Sequence, residues 1–354
     1  MGCALLLAGC SSVNPYYDPA KPHHRPDGFQ NIDPAAWMPR AFGEFVRWQR
    51  ERSDLQIPPP GADLSVVKPE LDFIRANRSA FAVTWIGHAT ALVQVAGVNI
   101  LTDPVFSNRA SPVQWAGPGR WQPPGLALRD LPHIDIVLIS HNHYDHLDEA
   151  SVRALAAQKG GPPLFVVPLG IERWLADVGI DGAKALDWWD RTESHGLTIH
   201  LTPAQHWSRR SFTDTMQTLW GGFVVETADE TSVGKGAASR RRVFYAGDTG
   251  WSAQHFADIG ARFAPIDLAL IPIGAYEPRW FMAMQHVNPE EAVRIHQAIG
   301  ARASLGVHWG TFLMTDEPLD QPLRDLAAAR TFLGVSAEAF RTLRHGQTWR
   351  IGTP

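Results

Sequence analysis

From about residue 80 onward the chain alternates short apolar runs with polar or glycine-rich turns. Residues 81–86 predict a strand, and Gly87-His88-Ala89-Thr90 a turn. Residues 91–95 and 98–102 alternate as hairpin strands around Gly97, closed by Asp103-Pro104. The run 134–139 reads as a short buried strand, and further strands are predicted at 164–167, 198–202, 220–227, 243–246, 267–273 and 304–307. Helical patterns cover 148–158, 170–178, 289–299 and 319–333, and Glu290 and Glu291 fall in the first turn of the third, as the helix dipole favours. No internal repeat is evident. The pattern predicts one strand-rich α/β domain over 81–354, with helices after several strands.

The region before it has a different texture. Residues 13–80 are rich in Pro and Gly and form an arm and linker, with 14–33 reading as a tether or an extended arm. An amphipathic helix is expected over 35–52, with Trp37, Phe42, Phe45, Val46 and Trp48 available for one side. Packing on the main domain is its expected role, and membrane contact the alternative. Residues 1–12 resemble the tail of a bacterial lipoprotein signal, whose Leu-Ala-Gly-Cys box would make Cys10 the lipidated residue. No Lys or Arg precedes that apolar run. A lipid anchor in the cell envelope, facing the periplasm or outside, is the expectation.

Composition adds two limits. The net charge of −4 gives no electrostatic footprint for nucleic acid. Both cysteines, Cys3 and Cys10, lie in the first ten residues, so any metal further along must be held by His and carboxylates.

That matters because potential ligands recur at strand ends. His141, His143, Asp145 and His146 follow the strand at 134–139, and His141 and His143, two apart on extended backbone, point the same way. His206, Asp248 and His308 each follow another predicted strand. Taken alone, a histidine such as His206 is usually structural. Together they suggest a three-imidazole site (His141, His143, His206) and a second site (Asp145, His146, His308), bridged by Asp248. Nitrogen and oxygen ligands without sulfur suit zinc, with iron or manganese possible. Two such ions can clamp both oxygens of an in-line displacement and supply hydroxide near neutral pH. Asp103 reads either as a solvent-facing turn residue or as a buried carboxylate that orients a ligand histidine, and His88 is a second candidate for such support.

The ordered set Leu-Thr-Asp103-Pro, His141-Asn-His-Tyr-Asp-His146, His206, Gly-Asp248-Thr-Gly and His308 resembles the five motifs of the metallo-β-lactamase superfamily. Trp85-Ile-Gly-His-Ala-Thr90, Leu186-Asp-Trp-Trp189 and the stretch 271–296 resemble the subfamily of phospholipases D that hydrolyse N-acylphosphatidylethanolamine. The resemblance spans roughly residues 80–315. It implies a four-layer αββα sandwich and two zinc ions per chain. The implied activity is a phosphodiesterase releasing phosphatidic acid and an N-acylethanolamine from a membrane phospholipid, in a possible homodimer. It also implies substrate contact at Gln285 and His286. Asp145 and His286 are the candidate catalytic groups, the latter donating to phosphate or leaving group. Trp280 and Phe281, with Met282 and Met284 beside them, either belong to the core or line a greasy groove for acyl chains. The alternatives are another hydrolase on the same fold, such as a lactonase, or an envelope lipoprotein without turnover.

Overall fold

The computed structural model describes residues 13–33, 36, 41–228 and 240–352. Cys10 with the rest of the lipoprotein-like segment, Trp37, and most of the basic, glycine-rich stretch before Arg240 lie outside these residues.

Two sheets of seven strands make the body. The first holds β3 (Ala82–Gly87), β4 (Thr90–Val95), β5 (Val98–Thr102), β6 (Ile136–Leu138), β7 (Leu164–Pro168) and β8 (Lys184–Leu186), with β16 (Thr348–Arg350) returning to pair with β3. The second holds β9 (Arg191–Ser194), β10 (Leu197–Thr202), β11 (Gly222–Thr227), β12 (Arg242–Tyr245), β13 (Leu268–Pro272), β14 (Ser304–Val307) and β15 (Phe340–Arg341). Each sheet runs antiparallel through its first four strands and parallel through its last four.

Period-two side-chain alternation explains the layering. In β4, Ala91, Val93 and Val95 join the core shared by the two sheets, whereas Leu92 faces the outer layer. In β6, Ile136 and Leu138 point inward and Val137 outward. The outer face of the first sheet is covered by α2 (Leu71–Ala76), α3 (Glu149–Ala156) and α4 (Ile171–Asp177), through Ile74, Val152, Leu155, Ile171 and Leu175. The outer face of the second is covered by α5 (Ala253–Phe263), α7 (Pro289–Ala298) and α8 (Gln321–Leu333), through Phe256, Ile259, Val293, Ile295 and Leu326. The result is the αββα sandwich that the motif resemblance implies.

The strand pattern of residues 81–102 is reproduced, but several elements have no counterpart in the sequence expectation, β9, β8 and α5 among them. Strand β9 reads Arg-Thr-Glu-Ser because it is a half-exposed edge, where charge guards against pairing with other chains. Strand β8 is only three residues long. Helix α5 begins at Ser252, whose hydroxyl accepts from the His255 amide, and buries Phe256, Ile259 and Phe263 on one face.

The N-terminal region also differs. Helix α1 is Phe42–Ser53, and of its candidate packing residues only Trp48 is buried. Phe42 is 80% exposed, and Phe45 and Val46 also face outward. Residues 13–33 lie docked on the body, with Phe29 inside the main core. They carry a small hairpin of β1 (His24–Arg25) and β2 (Gly28–Phe29).

Candidate metal centre

The parallel halves of the two sheets send their carboxyl ends to one edge, which is where an open α/β sheet presents its ligands. The turn after β6 carries His141, His143, Asp145 and His146, and the segments after β10, β12 and β14 carry His206, Asp248 and His308. All seven meet there, together with Asp103 after β5 and His88 from the β3–β4 turn. Asp103, His88 and His308 hold positive φ angles of 29°, 53° and 64°, a conformation non-glycine residues adopt only when their surroundings enforce it.

Hydrogen bonds assign the imidazoles. The Ser140 hydroxyl donates to Asp103 Oδ2 at 2.5 Å, so it accepts from His141 Nδ1 at 2.9 Å. His146 Nδ1 donates to Asp103 Oδ2 at 2.6 Å, and His206 Nδ1 to the Gln285 carbonyl at 2.9 Å. Each bond leaves an Nε2 lone pair facing inward. His141 Nε2 lies 2.8 Å from His143 Nδ1, which is 3.3 Å from His206 Nε2. His146 Nε2 and His308 Nε2 are 3.2 Å apart, each 3.0–3.1 Å from Asp248 Oδ2 and 3.3–3.4 Å from Asp145 Oδ2. Ring nitrogens and carboxylate oxygens gathered this closely are spaced as the ligands of a shared cation. A tetrahedral ion with bonds of about 2.0–2.1 Å separates its ligands by about 3.3 Å. Asp248 turns one oxygen to the second group, while its buried Oδ1 has no hydrogen-bond partner among the described residues. His88 Nε2 holds Asp145 Oδ2 from behind at 2.9 Å.

Electrostatics separate the two groups. Burial, reinforced by the neighbouring imidazoles, holds His141 well below the ordinary histidine range. His143 falls to about 3 and His206 to about 4, again chiefly through burial. These three are neutral donors at physiological pH. Burial opposes charge on His308 as well, but Asp248 and Asp145 outweigh it and raise that imidazole to about 9; His146 is raised for the same reason. The second group therefore gives up a proton when it takes up a cation.

The loop before α7 completes the wall. His286 lies with its buried Nδ1 3.7 Å from Asp248 Oδ2 and without a hydrogen-bond partner among the described residues. Gln285 reaches the site through its main-chain carbonyl, on His206; its side-chain amide turns to the Met282 sulfur. Arg279 locks this loop, donating to the His286 carbonyl and to both oxygens of Glu291. The greasy-groove expectation for Phe281 is not met: its ring stacks on Trp48 at 4.9 Å and is buried with Met282. Trp280, half-buried, lies under the Arg47 guanidinium.

Three supporting residues escaped the sequence reading. The Tyr245 hydroxyl donates to Asp103. Ser140 links Asp103 to His141. Asn31, far upstream, binds the His206 main chain. Only Tyr245 left a signal, as a polar-tipped residue in an apolar strand that needs a partner when buried.

A beta-lactamase superfamily domain model matches residues 98–309. N-acyl-phosphatidylethanolamine-hydrolyzing phospholipase D 1 of Caenorhabditis elegans is 41% identical, over 77% of this chain and 76% of its own. An uncharacterized protein of Mycobacterium tuberculosis is 37% identical over 92% of this chain and 84% of its own. Among solved structures, a metallo hydrolase from the archaeon Ignicoccus hospitalis shares the fold, with a TM-score of 0.54 and 23% identity, over 78% of this chain and all of its own. The chain therefore belongs to the metallo-β-lactamase superfamily, as a metal-dependent hydrolase related to N-acyl-phosphatidylethanolamine-hydrolysing phospholipase D.

Proposed function

We propose that the protein is a dinuclear zinc phosphodiesterase of the phospholipase D type, acting on N-acylphosphatidylethanolamine-like glycerophospholipids. The observation that carries this reading is the two adjoining ligand groups, with Asp248 Oδ2 against the second and His286 Nδ1 3.7 Å from it, without a hydrogen-bond partner among the described residues. His141, His143 and His206 would hold one ion, His146, His308 and Asp145 the other, and Asp248 both. The donor set, nitrogen and oxygen with no sulfur, fits zinc. Bound there, a pair of divalent cations supplies Lewis acidity for phosphate oxygens and hydroxide at neutral pH.

The chain's own groups do the positioning. His88 fixes the Asp145 carboxylate, which aims at the reacting centre and orients the attacking oxygen. Asp103 and Ser140 fix the His146 and His141 rings. His286 Nδ1 donates to a phosphate oxygen or to the departing alkoxide. Water adds to phosphorus, the ester bond to the ethanolamine oxygen breaks, and that oxygen takes up the proton, giving phosphatidic acid and an N-acylethanolamine.

Support for a lipid surface comes from exposed apolar side chains on segments that touch the site. Phe42 stands on α1, whose Trp48 backs the Gln285–His286 loop through Phe281. Phe212, 95% exposed, lies in the loop that carries His206, and Trp115, 82% exposed, in the loop after Asp103. The test is an assay of the zinc-loaded protein on N-acylphosphatidylethanolamine, phosphatidylethanolamine and a lactone panel. The expected product is N-acylethanolamine; turnover of lactones alone would overturn the phosphodiester reading.

A further inference from the structure

We propose that residues 13–33 act as a strap that sets the position of His206, with Asn31 as its positioning residue; this rests on the metal-centre reading above. His206 lies beyond the end of β10, and among the described residues no strand neighbour pairs its peptide. Its amide donates to Asn31 Oδ1 at 3.1 Å, and its carbonyl accepts from Asn31 Nδ2 at 2.9 Å. One side chain thus satisfies both main-chain groups of a residue with no exposed surface. Without it two buried polar groups lose their partners, and the segment must shift to recover them. The Gln285 carbonyl sets the rotation of the His206 ring; Asn31 sets where the ring starts from.

The strap is built to hold that clamp. Asn31 Nδ2 also bonds the Ala36 carbonyl at 3.0 Å. The Phe29 amide donates to the Met216 carbonyl at 2.8 Å, at the far end of the His206 loop. Beside it, a Cβ added to Gly28 would lie 2.2 Å from that same oxygen, so only glycine permits the approach. Asn14 closes the strap on itself, donating to the Gly28 and Arg25 carbonyls at 2.7 and 3.1 Å.

The other end is anchored on Asp187, just past β8. His23 Nε2 meets its Oδ1 at 2.7 Å, and His24 Nε2 and Lys21 Nζ meet its Oδ2 at 3.0 and 2.5 Å. The His23 ring stacks on Trp188 at 4.3 Å. Three nitrogen donors already occupy this carboxylate, one of them an ammonium, so the cluster is an ionic clasp rather than another cation site. Strap and clasp bridge the last strand of the first sheet and the His206 loop of the second.

The experiment compares full-length wild type, Asn31→Ala and Asp187→Asn. The readouts are zinc affinity by chelator competition, the cobalt(II) absorption spectrum, and melting of the metal-free protein. For Asn31→Ala, one of two zinc ions is expected to bind about 10–100-fold more weakly, as loss of an outer partner does elsewhere, with an altered cobalt band and the other ion unaffected. Asp187→Asn, which touches no candidate ligand, is expected to weaken the same ion by a smaller factor. Zinc affinities and a cobalt spectrum like those of wild type, with only the melting temperature lowered, would reduce the strap to a structural element. If Asn31→Ala does not fold, Asp187→Asn decides by the same criteria. Wild type that binds no metal would overturn the metal centre itself, and the strap's role with it.

Discussion

Asp103 has no exposed surface, yet its carboxyl accepts from His146 Nδ1, the Ser140 amide and hydroxyl, and the Tyr245 hydroxyl. Four donors on one group fix the His146 tautomer more firmly than a single bond could. Tyr245→Phe is expected to cost about 1.5–3 kcal/mol in denaturant unfolding, as for a bond to a charged partner, and to weaken metal binding about 10-fold. Asp248→Asn removes the carboxylate proposed to serve both groups; metal content and hydrolysis should fall together, and full activity with two bound metals would contradict the bridging role. The pH dependence of the metal-free protein follows from the imidazoles. His143 and His206, with folded values of about 3 and about 4, bind fewer protons than the unfolded chain below pH 6.5, so stability falls as pH drops through that window. His308, raised to about 9, acts oppositely: its contribution is complete below about 6.5 and is lost as pH rises towards 9. Urea midpoints across pH 4–9 should therefore peak near 6.5, and a flat profile would contradict these assignments. At this scale the candidate ligands were legible because metal chemistry demands few residue types at strand ends. Tyr245 and Asn31 were not, because their partners lie 142 and 175 residues away and a hydrogen bond leaves no local spacing.

Helix α1 shows what periodicity cannot decide. Its apolar residues offer a plausible packing face, yet one ring, Trp48, makes the buried contact, stacking on Phe281 and donating to both Asp316 oxygens at 3.1 Å. Phe42, Phe45 and Val46 stay exposed. Trp48→Ala is expected to destabilise the protein by about 3 kcal/mol, the lower end for a buried tryptophan. Because α6 (Arg279–Met282) runs into Gln285 and His286, the same change should raise KM for the lipid more than it lowers kcat. Unchanged kinetics would separate α1 from the site. Strand β9 was illegible for the opposite reason: an edge strand with both faces half-wet carries no apolar alternation, and only its ladder to β10 makes it a strand.

Each sheet repeats the same sequence of antiparallel and then parallel pairings, although the chain shows no repeat in its residues. A pairing pattern needs only apolar alternation and turns, which many unrelated sequences supply. The repetition places two sets of strand ends at one edge, so the two ligand groups meet between sheets rather than within either. Cations holding both sets together should stabilise the whole molecule: chelation is expected to lower the melting temperature and zinc to restore it. At free metal 100 times Kd each ion contributes about 2.7 kcal/mol.

Apolar runs and the chemistry of imidazole and carboxylate were enough, read along the chain, to determine the strands of the core and which side chains can bind a cation. That Asp248 Oδ2 faces His146 and His308, that Gln285 works through its carbonyl, and that a segment near the amino terminus reaches across two sheets to grip His206 were decided only by folding. The first kind of information is local, carried by residue type and short spacing. The second is a matter of distance in space, which exists only once the sheets have packed.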